Sequence, residues 1–200
     1  MKFLYLVEGK HDCKFVSITL NQKYLLDLSK IQCYFNEGSR DNKRLNESVM
    51  VKRFLSKCSP YTALIKSENG KKNLISLLKK ICIPEAYSQE DLKLIVIFDH
   101  DEKNPVVEFR EIFTVIKDAF QDLTFEPSHD TTHSDIGHSI SYSIIKISGN
   151  RREELNRIHF FCFFDSLEKV IARKFGEDTS IDEGIEKLCN CLKGVNFLPD

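Results

Sequence analysis

A chain of 200 residues with 42% hydrophobic and 30% charged residues has the composition of one soluble globular domain able to bury a core. Its formal net charge of −1 excludes a polycation, so any contact with nucleic acid has to rest on a local basic patch. The seven cysteines are odd in number and scattered, which argues against a disulfide scaffold and for reduced, mostly buried thiols. The apolar run before Glu8 is too short for a signal peptide, and no stretch approaches the roughly 18 apolar residues of a membrane helix. Both absences lead to the expectation of a cytoplasmic protein with no membrane partner.

In chain order, Phe3 to Val7 reads as a strand, and Glu8-Gly9-Lys10-His11-Asp12 follows it. Gly9 is expected to let the chain turn sharply there. A helical pattern runs from His11 to about Leu26, with Asp12 suited to a capping place near its start. Ile31 to Phe35 is a strand candidate, residues 36–44 form a polar loop, and Leu45 to Cys58 is helical until Ser59-Pro60 breaks it. Tyr61 to Ile65 is the next strand. Ser67 to Asn73 reads as a loop, and Leu74, Ile75, Leu77, Leu78 and Ile81 have helical spacing. Gly70 with Lys71 and Lys72 at a helix start could face phosphate, or could be a solvated turn; the spacing of a P-loop is missing. Pro84 to Asp91 is expected to be a linker.

Leu94 to Phe98 is a buried strand that stops at Asp99, Asp101 and Glu102. Asn104 suits a cap and Pro105 a first helical position, and apolar residues from Phe109 to Leu123 trace one helical stripe. Thr124 to His138 reads as a polar break. Its His129, His133 and His138 have a spacing that a metal could use on a helix, but Thr, Ser and Gly between them favour a surface loop. Ile140 to Ile147 and Arg157 to Phe164 are strand-like, joined by a polar turn over 148–156, and suggest an edge hairpin. Asp165-Ser166-Leu167-Glu168 opens another helix, and one more amphipathic helix lies near Ile185, Leu188 and Leu192. Strands alternating with helices predict an α/β fold with a mostly parallel central sheet flanked by helices. The whole chain, 1–200, is expected to be a single domain, with a motif-bearing core over 1–125 and a polar loop, edge strands and helices over 126–200.

The chemistry concentrates at two strand ends. If the strands ending at Val7 and Phe98 are neighbours, Glu8, Asp99 and Asp101 converge at the carboxyl edge of the sheet, where α/β folds bind ligands. Gathered carboxylates repel and call for a cation or a proton, and a hard divalent ion, Mg²⁺ or Mn²⁺, matches oxygen ligands.

Glu8-Gly9-Lys10-His11-Asp12 after one apolar strand and Asp99-His100-Asp101 after a later one resemble the TOPRIM domain. That domain occurs in primases, type IA and type II topoisomerases, OLD-type nucleases and small stand-alone proteins. The resemblance covers roughly the first 125 residues and extends to the strand-helix unit ending at Glu168. It is closer to the OLD-type and stand-alone members, since neither a zinc-binding nor an ATPase region accompanies it. The long separation between the motifs makes the 31–60 segment a candidate insertion.

The resemblance implies a Rossmann-like TOPRIM fold. It also implies Mg²⁺ (or Mn²⁺) bound by Asp99 and Asp101, with Glu8 as a ligand or proton-transfer group and Asp12 as a supporting acid. Glu102 could join a second ion, and Lys10 could reach a phosphate oxygen. The expected activity is hydrolysis of phosphodiester bonds in DNA or RNA, with substrate contacts from Lys71, Lys72, Arg40 and Lys43, and from Arg44, Arg151 and Arg152. The alternative is a non-catalytic module that binds metal, nucleotide or nucleic acid and acts with a partner ATPase. A nucleotide-sugar transferase also uses Asp-x-Asp but has no role for Glu8 and Asp12. Asp165 and Glu168 would approach the site if their strand ends on the same edge, and Asp165 equally suits a helix cap.

Overall fold

The computed structural model describes residues 1–34, 49–86, 91–100, 105–127 and 132–192. Strand β1 (Lys2–Val7) leads into α1 (Lys10–Tyr24), and a short 3₁₀ turn precedes β2 (Ile31–Tyr34). Helix α2 covers residues 49–55. Then come β3 (Ala63–Ser67), α3 (Lys71–Leu77), a π-turn (Leu78–Cys82), α4 (Ile83–Ala86) and β4 (Leu92–Asp99). The remaining elements are α5 (Pro105–Lys117), β5 (Leu123–Pro127), β6 (Thr132–His133), β7 (Gly137–Ser148), β8 (Arg151–Phe163), α6 (Leu167–Phe175) and α7 (Ile181–Cys191).

Seven strands lie in the order β2-β3-β1-β4-β8-β7-β5, and the short β6 pairs with β7. The run from β2 to β8 is parallel throughout, while β7 pairs antiparallel with β8, β5 and β6. The expected mixed α/β fold with a mostly parallel sheet is therefore what the chain forms, but the β7–β8 hairpin is not at an edge: β4 flanks it on one side and β5 covers it on the other. The central strands are apolar at successive positions because both faces are covered. Leu4, Leu6, Leu64, Leu94, Val96, Phe98 and Phe160 pack on one face against α2, α3 and α5. Tyr5, Val7, Ile65, Ile95, Ile97, Phe161 and Phe163 pack on the other against α1, α6 and α7.

This alternation decides where the ligand-binding edge opens. Across the sheet, the helices that follow β3, β1, β4 and β8 leave to alternate faces: α3 and α5 to one, α1 and α6 to the other. Neighbouring strands whose helices part in opposite directions leave a crevice at their carboxyl ends.

Several boundaries differ from the sequence expectation. Helix α5 ends at Lys117, and Leu123 instead opens β5 opposite Lys146. The expected polar break over 124–138 therefore holds β5 and β6, which pair with the open edge of β7, and β5 also packs Leu123 and Phe125 on the core. The expected turn over 148–156 narrows to Gly149-Asn150, since Arg151 pairs with Ser148 and strand continues from there. Within 84–91, residues Pro84 to Ala86 are helical, not linker. Pro84 removes the N–H that would bond back to Lys80, and the wider π-turn lies at that point. Gly9 is extended, with φ −127° and ψ 173°, so its freedom of conformation is not what the turn uses. Among the described residues, no helix is long and apolar enough to cross a membrane.

Candidate functional site

β1 and β4 are adjacent and parallel, with Val7 opposite Ile97, so the residues just beyond them emerge side by side. Glu8 continues the alternation of Leu4 and Leu6 toward α3, and Asp99 continues that of Ile95 and Ile97 toward α6. The Glu8 carboxylate accepts one hydrogen bond from the Lys71 N–H at 3.1 Å on Oε1 and one from the Asp99 N–H at 3.2 Å on Oε2. Glu8 thus ties the start of α3 to the end of β4, and positions 8 and 99 share one spot. The Asn69-Gly70 turn makes this possible: both residues have positive φ, 52° and 112°, and the Gly70 N–H donates to the Glu8 carbonyl at 3.1 Å. The N–H of Lys71 is therefore occupied by Glu8.

Asp12 stands in the first turn of α1, three residues after the capping Gly9, whose N–H it accepts at 2.8 Å. It is only 4% exposed. Burial and then the Asp99 charge push its carboxyl well above the usual range; the Gly9 N–H opposes them, and Glu168 and Glu8 add to the rise. Asp99 is pushed up to about 7, by burial first and by Glu8 and Glu168 next, while the Leu167 N–H at 3.3 Å and the Lys71 charge pull the other way.

Glu168 is the member that the two motifs do not announce. Strand β8 is parallel to β4, so the start of α6 arrives at the same edge. His11 Nδ1 lies 2.7 Å from Glu168 Oε1. Burial works to raise this carboxyl, but hydrogen bonds from His11, its own N–H and Ser166 outweigh it and the net shift is downward. With Glu168 ionised, the His11 Nδ1 carries the donated hydrogen. A signal for Glu168 exists in the sequence: Ser166-Leu167-Glu168 repeats the passage from apolar strand through acid to helix. Asp165 is not the cap of α6; that place belongs to Ser166, which accepts from the Lys169 N–H at 3.3 Å. Asp165 has φ 63°, takes the His100 N–H on its carbonyl at 2.7 Å and pairs with Arg173.

On the α3/α5 side the edge carries two buried carboxylates with lysine partners. Lys66 and Glu68, both buried, pair at 2.5 Å, and Lys71 pairs with Glu108 of α5. His100 Nδ1 lies 3.2 Å from the same Glu108. Neither Lys66–Glu68 nor Glu108 belongs to a motif; each becomes legible only once β3 and α5 are seen to meet the edge.

The remaining expected residues are dispersed. Lys10 is exposed, and its charge bears on Asp182 near the start of α7. Lys72 is exposed on α3. Arg151 and Arg152 begin β8, so its 13 residues put them roughly 40 Å from the carboxyl edge, and Arg152 pairs with Glu126. His138 stands opposite His133 in the β6–β7 pair, and its ring meets Phe164 at 4.5 Å. Asp101, Glu102, Arg40, Lys43, Arg44 and His129 lie outside the described residues.

Glu8, Asp12, Asp99 and Glu168 are all-oxygen donors, two of them held above their ordinary proton affinity by burial first and neighbouring carboxylates next, and that chemistry fits a hard divalent cation. Among the described residues, no three His, Cys, Asp or Glu side chains are already arranged around one metal position. No protein-family model, no curated protein and no solved structure matches the chain.

Proposed function

We propose that this protein is a TOPRIM-type phosphodiesterase that hydrolyses DNA or RNA with Mg²⁺ or Mn²⁺ held by Glu8 and Asp99 together with Asp101 and Glu102. One observation carries the reading. Four carboxylates from β1, α1, β4 and α6 gather at the carboxyl edge, and burial with their mutual charge raises Asp99 to about 7. Such a group is costly to ionise until a cation offsets the repulsion. A bound divalent ion would supply water activation and would offset the charge on a transferring phosphoryl group.

The chain's own residues then divide the work. Glu8 is held in one orientation by its two backbone N–H donors. Asp12 keeps a proton in a buried place beside Asp99 and serves as a proton-holding group. His11 orients Glu168. Lys71, paired with Glu108, adds its charge beside Asp99 at the same edge.

The test is incubation of the purified protein with single- and double-stranded DNA and RNA in Mn²⁺ or Mg²⁺. Cleavage is expected, stopped by a chelator and lost in Asp99→Ala. Cleavage that persists in Asp99→Ala refutes the assignment. The second reading is a module that binds metal, nucleotide or nucleic acid and acts with a partner ATPase. Metal-dependent nucleic-acid binding without cleavage of any substrate would select it.

A further inference from the structure

The layer formed by α2 and α3 carries a charge imbalance that the chain as a whole does not. The sequence has 29 Lys or Arg against 30 Asp or Glu, yet between residues 48 and 83 it has eight basic residues and one acid, Glu68. Two of the eight turn inward: Lys66 pairs with Glu68, and Lys71 with Glu108. The other six lie on the outer side of the layer. Lys52, Arg53 and Lys57 are exposed on α2 and the turn after it, and Lys72 and Lys80 are exposed and Lys79 half-buried on α3 and the π-turn.

Helical spacing produces this surface. Val51, Phe54 and Leu55 face the core from α2, and Leu74, Leu77 and Leu78 face it from α3 and the π-turn. Both elements pack on the same face of the sheet, so their outer sides look the same way. The uncharged side chains between the basic ones are Ser56, Asn73 and Ser76. Among the described residues, no carboxylate pairs with Arg53, Lys57, Lys72, Lys79 or Lys80. The opposite layer differs: Lys14 pairs with Asp182, Arg173 with Asp165 and Lys174 with Asp135.

We infer that this outer surface docks duplex nucleic acid through its phosphates, without reading its bases. The inference rests on the phosphodiesterase reading for the identity of the polyanion, and it adds where the substrate lies; docking here needs neither metal nor cleavage. The surface begins at the candidate site, since Lys72 follows the Lys71 N–H that holds Glu8. From Lys72 to Lys80 the helical rise covers about 12 Å, a span over which a duplex presents several phosphates. Lys and Arg with Ser and Asn between them are the side chains that contact phosphate and sugar. Proteins that hold single strands stack the bases on aromatic rings. Here Phe54 is buried and Tyr61 packs against the core, so neither ring is offered. A membrane surface would call for apolar anchors among the basic residues. Among the described residues from 50 to 86 no large hydrophobic side chain is exposed, and Val49, at the start of α2, is the nearest one.

The test measures binding of the full chain to fluorescein-labelled DNA and RNA duplexes of unrelated sequences by fluorescence anisotropy, in EDTA so that metal-dependent cleavage plays no part. Affinity is expected to be alike across sequences and to fall steeply with salt. The double variants Lys79→Gln/Lys80→Gln and Arg53→Gln/Lys57→Gln should each weaken binding about tenfold and make the log–log salt slope shallower by about 2, one for each lost phosphate contact. Lys169→Gln/Lys187→Gln removes the same charge from α6 and α7 and should leave affinity within about twofold. Circular dichroism checks that each variant is folded, and the wild-type salt slope tests the docking face without any variant. The inference is overturned if no duplex binds at low salt, if single strands bind more tightly, if phosphatidylserine vesicles bind and duplexes do not, or if the α6/α7 variant weakens binding as much as the other two. Duplex that docks but is not cut in Mg²⁺ or Mn²⁺ keeps the docking face and refutes the phosphodiesterase reading. Cleavage with wild-type affinity in both α2 and α3 variants does the reverse.

Discussion

The two sides of the carboxyl edge treat their acids in opposite ways. Toward α3 and α5, Glu68 and Glu108 each meet a lysine, Lys66 and Lys71, and the charges are balanced inside the protein. Toward α1 and α6, Asp12 and Asp99 have carboxylates as prominent charged neighbours, and burial leaves them with raised proton affinity. The first arrangement completes itself and serves stability. The second keeps its carboxylates at a raised proton affinity, the feature on which the proposed cation site rests.

That contrast can be broken experimentally. The largest effect is expected on the completed side. Lys66→Ala leaves Glu68 buried without its countercharge and should cost about 3–5 kcal/mol in urea unfolding. A loss below about 1 kcal/mol would mean that the pair is not balanced internally.

The next effect is a pH dependence of the open side. The folded Asp99 has a proton affinity of about 7 against an ordinary 3.8. Because the unfolded chain loses this proton first, stability of the metal-free protein should fall as pH rises from about 4 to about 7. The size is roughly 4 kcal/mol if Asp99 acts alone. Mn²⁺ should therefore raise the midpoint of thermal unfolding more at pH 8 than at pH 5. An equal rise at both would show that the ion does not replace this proton.

Asp99→Asn should remove cleavage while stabilising the metal-free protein at pH 8 by about 1–3 kcal/mol, since it deletes one of the repelling charges. Destabilisation there would show that the carboxylate is already balanced. The smallest effect is expected of His11→Ala. The His11–Glu168 pair is about one-third and two-fifths exposed, so its loss should change stability by no more than about 1 kcal/mol, yet should slow cleavage by misorienting Glu168. Unchanged turnover would remove Glu168 from the site.

Much of the fold was legible in local pattern. The apolar runs ending at Val7 and Phe98 and the stripe from Phe109 to Ile116 are strong because burial on one or two faces writes itself into spacing. β5 and β6 were not legible, because Thr124, Glu126 and Thr132 carry little apolar signal and the strands are fixed by pairing with β7. The burial of Lys66 carries no local signal for a related reason. A lysine at a strand end reads as solvent, and the Glu68 carboxylate, the Ser67 carbonyl and the Tyr34 ring, 5.1 Å from its ammonium, make burial tolerable.

By itself, the amino-acid order determined which residues end strands in acids, Glu8 after β1 and Asp99 at the end of β4, and that helices follow them. Only the tertiary structure decided that β1 and β4 are neighbours, that β8 runs parallel beside β4 and delivers Glu168, and that Lys66 and Lys71 pair with Glu68 and Glu108. The physical reason is range. Spacing records what each residue needs from its own element, whereas charge balance depends on which elements the sheet order sets within a few ångströms of each other.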